Sequence, residues 1–260
     1  MSLEPIKFED GVAYERMMGV WSQLVGTKFL NWLSPQNGQR WIDVGCGNGA
    51  FTEQIVRHCS PHEVQGIDPS EAQIAFASNR EGAGKAVFQT GDASALPFAV
   101  DYFDAATMAL VVFFLPDPAQ GVAEMKRVVR PGGSVAAYVW DVFGGGVPTA
   151  PITSELLASN ITYPLPPSAN ASRMEVLHSL WLDAELQSVE TSVIKVERTF
   201  ANFKEFWSTT ALSPSLKPVL ADLPEKTIVQ LQNAVRERLP ADAEGQITYS
   251  SHANAIKGLV

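Results

Sequence analysis

A chain of 260 residues, 46% hydrophobic and 18% charged, can bury one sizeable core and is too apolar to be disordered or fibrous. Its 28 acidic residues outnumber 19 basic ones, for a net charge of −9. Such a surface repels phosphate backbones and anionic lipid, which argues against nucleic acid or a membrane as the main partner.

The longest apolar stretch, residues 105–115, falls well short of the roughly 20 residues that cross a bilayer. Met1 to Pro5 shows neither a basic start nor an apolar run, so no signal peptide is expected. Cys46 and Cys59 form no CxxC pair, which leaves a disulfide framework and a structural zinc site unsupported. The expectation is a soluble protein of a reducing cytoplasm.

No internal repeat is visible. From Met17 to Leu33 apolar residues recur every three or four positions, the stripe of an amphipathic helix, which Ser34-Pro35 and Asn37-Gly38 end. Arg40 to Val44 reads as a strand running into a glycine-rich turn, and Ala50 to Cys59 as a helix. A second strand covers Glu63 to Asp68, and Pro69-Ser70-Glu71 opens a second helix. Lys85 to Thr90 and Phe103 to Leu110 read as the third and fourth strands. Pro118 to Val129 is helical, with Lys126 and Arg127 placed to suit the negative end of the dipole. Pro131-Gly132-Gly133 stops it, and Ser134 to Trp140 is a fifth strand.

Alternating strands and helices predict a parallel sheet covered on both faces. Past Asp141 the rhythm breaks. Residues 144–167 read as an irregular, turn-rich stretch, Met174 to Leu186 as a helix, and Gln187 to Phe200 as a long strand. Phe203 to Trp207 and Asp222 to Leu239 read as helices, and Ile247 to Ser251 as a last strand.

The chemistry concentrates at strand ends. Asp43-Val44-Gly45-Cys46-Gly47-Asn48-Gly49 joins a strand to a helix, where glycines let the backbone approach a ligand and the helix start offers free N–H groups. Asp68 and Asp92 close the next two strands. Ligands of open parallel sheets bind beyond those ends. There one carboxylate can accept both hydroxyls of a ribose and the other a purine amino group.

These residues carry a resemblance. Residues 41–49 resemble the first motif of class I S-adenosylmethionine-dependent methyltransferases, of the type 11-like small-molecule kind. Gly66 to Ser70 is similar to their ribose-binding strand end, and Gly91 to Phe98 to their adenine-binding turn. Phe103-Asp104-Ala105 and Arg127 to Gly133 match two later landmarks, and residues 14–22 are weakly similar to the leader of some members.

The resemblance implies a Rossmann-like, doubly wound α/β fold: a seven-stranded, mainly parallel sheet with an antiparallel C-terminal strand pair and a helical insertion. It divides a single domain into a helical cap (1–35), a cofactor-binding core (36–141) and a C-terminal part (142–260) that completes the sheet. Gly45, Gly47 and Gly49, with Cys46 and Asn48 between them, would hold the methionine portion of S-adenosylmethionine, and Asp43 its amino group. Asp68 would bind the ribose, Asp92 the adenine, and Ala93 would add backbone contacts. Pro69 and Ser70 would pack beside the adenine, and Ala109 and Leu110 would line the floor. Arg16 would reach the cofactor carboxylate. The product would be S-adenosylhomocysteine. Cys46 fills a position where the family accepts a small residue, so a catalytic thiol is not expected.

No catalytic constellation is visible, and methyl transfer from a sulfonium mainly needs alignment. The catalytic residues are therefore unassigned. His58, His62, His178 and His252 read as ordinary histidines, with no metal-ligand spacing. Tyr14, Trp21, Tyr138, Trp140, Phe203, Phe206 and Trp207 could line an apolar acceptor pocket or pack as core. A small-molecule acceptor fits the charge. Two other readings stay open. Gly45 to Ala50 also satisfies the G-x-G-x-x-A of a nicotinamide-dependent oxidoreductase. The chain could also bind S-adenosylmethionine without catalysing transfer.

Overall fold

The computed structural model describes residue 6 and residues 15–260; Tyr14 and most of the leader lie outside the described residues. After a π-turn at Glu15–Gly19 the chain runs α1 (Val20–Leu33), β1 (Arg40–Val44), α2 (Ala50–Cys59), β2 (Glu63–Asp68), α3 (Glu71–Ser78) and β3 (Val87–Thr90). It continues through β4 (Phe103–Ala109), α4 (Pro118–Val128), β5 (Val129–Trp140), α5 (Ala150–Ala158) and α6 (Met174–Asp183). Then follow β6 (Gln187–Phe200), α7 (Phe203–Thr210), α8 (Lys217–Ala221), α9 (Glu225–Arg238) and β7 (Ile247–Leu259).

The seven strands form one sheet in the order β3-β2-β1-β4-β5-β7-β6. The first five pair in parallel, while β7 runs antiparallel to both β5 and β6. This is the Rossmann-like architecture that the resemblance implies. Strand alternation feeds a core on each face. Ala136, Tyr138 and Trp140 join the side chains of α1, α2 and α5, whereas Val135, Ala137 and Val139 join those of α4 and α6. Trp181 is fully buried on the second face, and its indole N–H donates to Val135 O at 3.0 Å.

Several boundaries differ from expectation. Pro69, expected in the first turn, lies just before α3, which Ser70 caps by accepting from Gln73 N–H. Residues 150–158, expected to be irregular, form α5: Pro151 sits in its first turn, where the missing N–H costs nothing. Its nine residues were hidden between glycine and proline clusters. The segment from Asp222 to Leu239 starts later, as α9, with the short α8 before it.

β7 is much longer than Ile247 to Ser251. The four residues after Ser251, His252-Ala253-Asn254-Ala255, lack β-branched side chains, yet Ala253 to Ala255 are paired on both sides, by β5 and β6. Burial between two partners overrides weak propensity. The Pro131-Gly132-Gly133 stop is an irregularity inside β5, which pairs with β4 on either side of it. Gly132 N–H there donates to the terminal Val260 O at 2.8 Å.

Candidate functional site

β1 and β4 are neighbours whose crossovers leave in opposite directions, to β2 and to β5, and open a crevice beyond their carboxyl ends. A cavity of about 960 Å³ occupies that crevice, close to the upper limit for ligand pockets. Asp43, Gly45, Cys46, Gly47 and Asn48 line it from β1 and the turn beyond. Asp68, Pro69 and Ser70 come from the end of β2, Asp92 and Ala93 from beyond β3, and Ala109 and Leu110 from the end of β4.

Gly45 must be glycine. Its φ is +74°, and a Cβ there would come within 2.5 Å of Val111 Cγ2. Gly47 also has positive φ, but a Cβ would meet no protein atom within 4 Å. The chain itself leaves that space open on the cavity side.

Asp68 holds this turn in shape. One carboxylate oxygen accepts from Gly47 N–H and the other from Ser70 N–H, both at 2.9 Å. Burial raises its pKa and these two bonds pull it back. Each oxygen keeps a second lone pair for a ligand hydroxyl.

Asp43 is fully buried. Its Oδ2 accepts from the Thr52 hydroxyl at 2.6 Å, while Oδ1 has no partner within the described chain. Burial raises its pKa to about 7, and the nearby Asp68 charge adds to this against the Thr52 hydrogen bond. An orphaned buried carboxylate oxygen costs about 1–3 kcal/mol. A cationic amino group in the cavity is the natural partner for it. Cys46 is buried in the same wall, and its thiol is pushed far above neutrality, so it stays protonated and unreactive.

Asp92 is exposed, and its carboxylate accepts from Ser94 N–H at 2.8 Å, which lowers its pKa. The turn that it opens is clamped from behind. Arg127 donates to Leu96 O at 2.8 Å and Phe98 O at 2.9 Å, and pairs with Glu124, which in turn accepts from Leu96 N–H. The sequence placed Arg127 as a dipole-compensating cation; the structure makes it an anchor of this turn. Arg127→Met is expected to cost about 1.5–3 kcal/mol, the range for a hydrogen bond to a charged group. The midpoint of urea unfolding measures it, and an unchanged midpoint would reject the anchor.

Two expected site residues lie elsewhere. Arg16 is exposed and does not line the cavity. Consecutive helical side chains do not share a face, and it is Glu15 that turns toward the glycine turn. Glu15 accepts from Asn48 Nδ2 at 2.8 Å and pairs with Arg80, which also binds Glu53 and Asn48 O. Gly49 caps α2 with φ +79° and backs onto Ala77 and Phe88 instead of the cavity. It shapes the turn without lining it.

A second, smaller cavity adjoins the first. Leu110, Phe114, Pro164 and Leu165 line both. Leu110 is a non-glycine residue at φ +64°, held by its N–H to Tyr138 O at 2.8 Å, the kind of strained backbone that gathers at functional sites. Of the aromatic residues singled out in the sequence, Trp140 lines the second cavity and Tyr138 the first. Trp21 and Phe206 are core residues, and Phe203 and Trp207 pack against that core. Phe113, Phe114 and Tyr163 escaped the sequence reading. The first two follow the end of β4, where a parallel sheet places ligand contacts, and that position was the available signal.

Among the described residues no group of three or more His, Cys, Asp or Glu could hold a metal ion, and no helix is long and apolar enough to cross a membrane. His252 lies beside Asp141, 3.4 Å away, outside both cavities.

Comparison with known proteins agrees with this geometry. The family described as "Methyltransferase domain" matches residues 42–137, the stretch that supplies Asp43, the glycine turn, Asp68 and Asp92. Residues 42–137 are thus similar to a methyltransferase domain. Outside it, likeness thins. The domain-bearing chain is 32% identical over 126 residues to the ubiquinone/menaquinone biosynthesis C-methyltransferase of Paracoccus denitrificans, covering 47% of this chain and 50% of that protein. It is 38% identical over 94 residues to a chloroplastic 2-methyl-6-phytyl-1,4-hydroquinone methyltransferase of Oryza sativa, covering 36% and 27%. The chain thus spans half or less of the length of these two curated relatives. The fold of the methyltransferase domain and its surroundings also resembles phosphoethanolamine N-methyltransferase 2 of Haemonchus contortus, solved with phosphomonomethylethanolamine and S-adenosylhomocysteine. There the TM-score is 0.58 at 17% identity, over 95% of this chain and 56% of that one.

Proposed function

We propose that the protein transfers a methyl group from S-adenosylmethionine to a small organic acceptor. One observation carries this reading: a single cavity gathers an orphaned buried carboxylate, an open glycine turn and two further carboxylates, and shares Leu110, Phe114, Pro164 and Leu165 with an apolar second cavity. This reading assigns each group of the cofactor to a part of the crevice. Asp43 Oδ1 would take the amino group, the Gly45 to Asn48 turn the rest of the methionine portion, Asp68 the ribose hydroxyls, and Asp92 with Ala93 the adenine.

When bound, the sulfonium supplies an activated methyl carbon. A lone pair or π pair of the acceptor would form the new bond to that carbon as the S–C bonding pair returned to sulfur, with S-adenosylhomocysteine released and any displaced proton passed to water. Alignment is the protein's main contribution. Leu110 and Phe114, shared by both cavities, stand where the two reactants would meet.

The two relatives are named for methylating quinone and hydroquinone compounds, which supports a small-molecule acceptor. Their likeness covers less than half of this chain, so the acceptor's identity is not carried over with it.

Calorimetric titration with S-adenosylhomocysteine and, separately, with NADH tests the cofactor. Label transfer from methyl-labelled S-adenosylmethionine into a metabolite extract tests the reaction. Binding of S-adenosylhomocysteine alone, with label transfer, is expected; NADH binding instead would overturn the proposal. Asp68→Asn replaces a charged acceptor by a neutral one and should weaken S-adenosylhomocysteine about tenfold to a hundredfold, from about 1.5–3 kcal/mol for one charged hydrogen bond. Unchanged affinity would remove Asp68 from the ribose site.

A further inference from the structure

The second cavity restricts the acceptor by charge. Its described lining is built from aliphatic, aromatic and proline side chains, with Thr149, Tyr163, Ser213 and Ser215 as its polar members. No Asp, Glu, Lys, Arg or His is among them. A charged acceptor would leave water without a counter-charge, at a cost of several kcal/mol even after relaxation. The ring faces of Phe113, Phe114 and Trp140 suit an aromatic body instead.

The polar members set a second requirement. Ser213, itself buried, and Ser215 share one hydrogen bond between their hydroxyls, 2.9 Å apart. Whichever hydroxyl donates, the other retains its hydrogen, so the pair offers one further donor. A described wall with a donor to spare and no negative charge selects an oxygen acceptor on an otherwise apolar ligand. A site built to bond a hydroxyl or carbonyl rejects the analogue that lacks it more strongly than it rejects a change in apolar size.

We infer that the cavity lined by Phe113, Trp140, Thr149 and the Ser213–Ser215 pair is the acceptor subsite, and that it takes uncharged aromatic molecules bearing a hydroxyl or carbonyl oxygen. The inference rests on the methyl-transfer reading, because it is the shared wall at Leu110 and Phe114 that makes this cavity the acceptor's. The serine pair reads the oxygen. Since the described residues of the subsite bring no charge of their own, it turns away carboxylates, phosphates and ammonium compounds alike.

Three probes on one ring system separate these requirements: 2-naphthol, naphthalene and 2-naphthoate. Each is titrated into the full chain saturated with S-adenosylhomocysteine, followed by calorimetry or ligand-observed NMR. 2-Naphthol should bind at least tenfold more tightly than either of the others. In the Ser213→Ala/Ser215→Ala variant that preference over naphthalene should fall to threefold or less, while S-adenosylhomocysteine affinity stays at the wild-type value. The last measurement also reports that the variant is folded. Binding of 2-naphthoate as tight as 2-naphthol would overturn the charge rule. A retained preference in the double variant would overturn the serine assignment. If wild type bound no S-adenosylhomocysteine, the methyl-transfer reading itself would fail, an outcome distinct from either.

Discussion

Gly47→Val should abolish binding of S-adenosylhomocysteine while leaving the fold in place. A Cβ at this position meets nothing within 4 Å, so the protein does not oppose the side chain; what it fills is the cavity. The backbone does object somewhat, because φ is +50° and a β-branched residue is poorly tolerated there. Gly38→Val isolates that cost. Gly38 also has positive φ, at +76°, and equally open surroundings, but it precedes β1 at the opposite end of the strand from the cavity. Both variants should melt somewhat lower than wild type. Wild type and Gly38→Val should melt higher with S-adenosylhomocysteine, by mass action on the folded state. Gly47→Val should keep a normal far-UV spectrum and show no ligand-induced rise. A full rise in Gly47→Val would place the cofactor off this turn, and the functional proposal would go with it.

The residues that line the first cavity were legible because their signals are local. A glycine turn after a strand, and an acidic residue closing each of the next two strands, are facts about neighbours in sequence. The structure brings Asp43, Gly47, Asp68 and Asp92 to one cavity. The errors fall where tertiary context decides. Nothing near Arg16 signals that Glu15, one residue earlier, turns inward to Asn48 and Arg80, since that contact spans 33 and 65 residues. Ala253 to Ala255 belong to a strand because two partners pair with them, not because such small residues favour one. The acceptor cavity draws its wall from Met17, Phe113, Trp140, Tyr163 and Ser213, five separate parts of the chain. No window of sequence contains that combination.

Asp43 would link the proposed cofactor site to pH. Burial holds its pKa near 7 in the free protein, against 3.8 for an ordinary aspartate. The folded state therefore keeps a proton on Asp43, over a range in which the unfolded chain has already lost it. The contribution of this group to stability is fully present below about pH 4 and declines as pH rises toward 7, by about 1.4 kcal/mol per unit. Asp43→Asn removes that titration while keeping an oxygen for the Thr52 hydroxyl, so its unfolding free energy should fall less between pH 5 and 8 than that of wild type. The cofactor reverses the sign. Its amino group is positively charged below about pH 7.7–8, and it favours the ionised carboxylate. Affinity for S-adenosylhomocysteine should thus rise close to tenfold per unit from pH 5.5, flattening near pH 7, as binding ceases to require loss of the proton. In Asp43→Asn the affinity should be low and flat over the same range. Parallel pH profiles for the two proteins would mean that Asp43 does not meet the amino group, and that its orphaned oxygen serves some purpose other than this ligand.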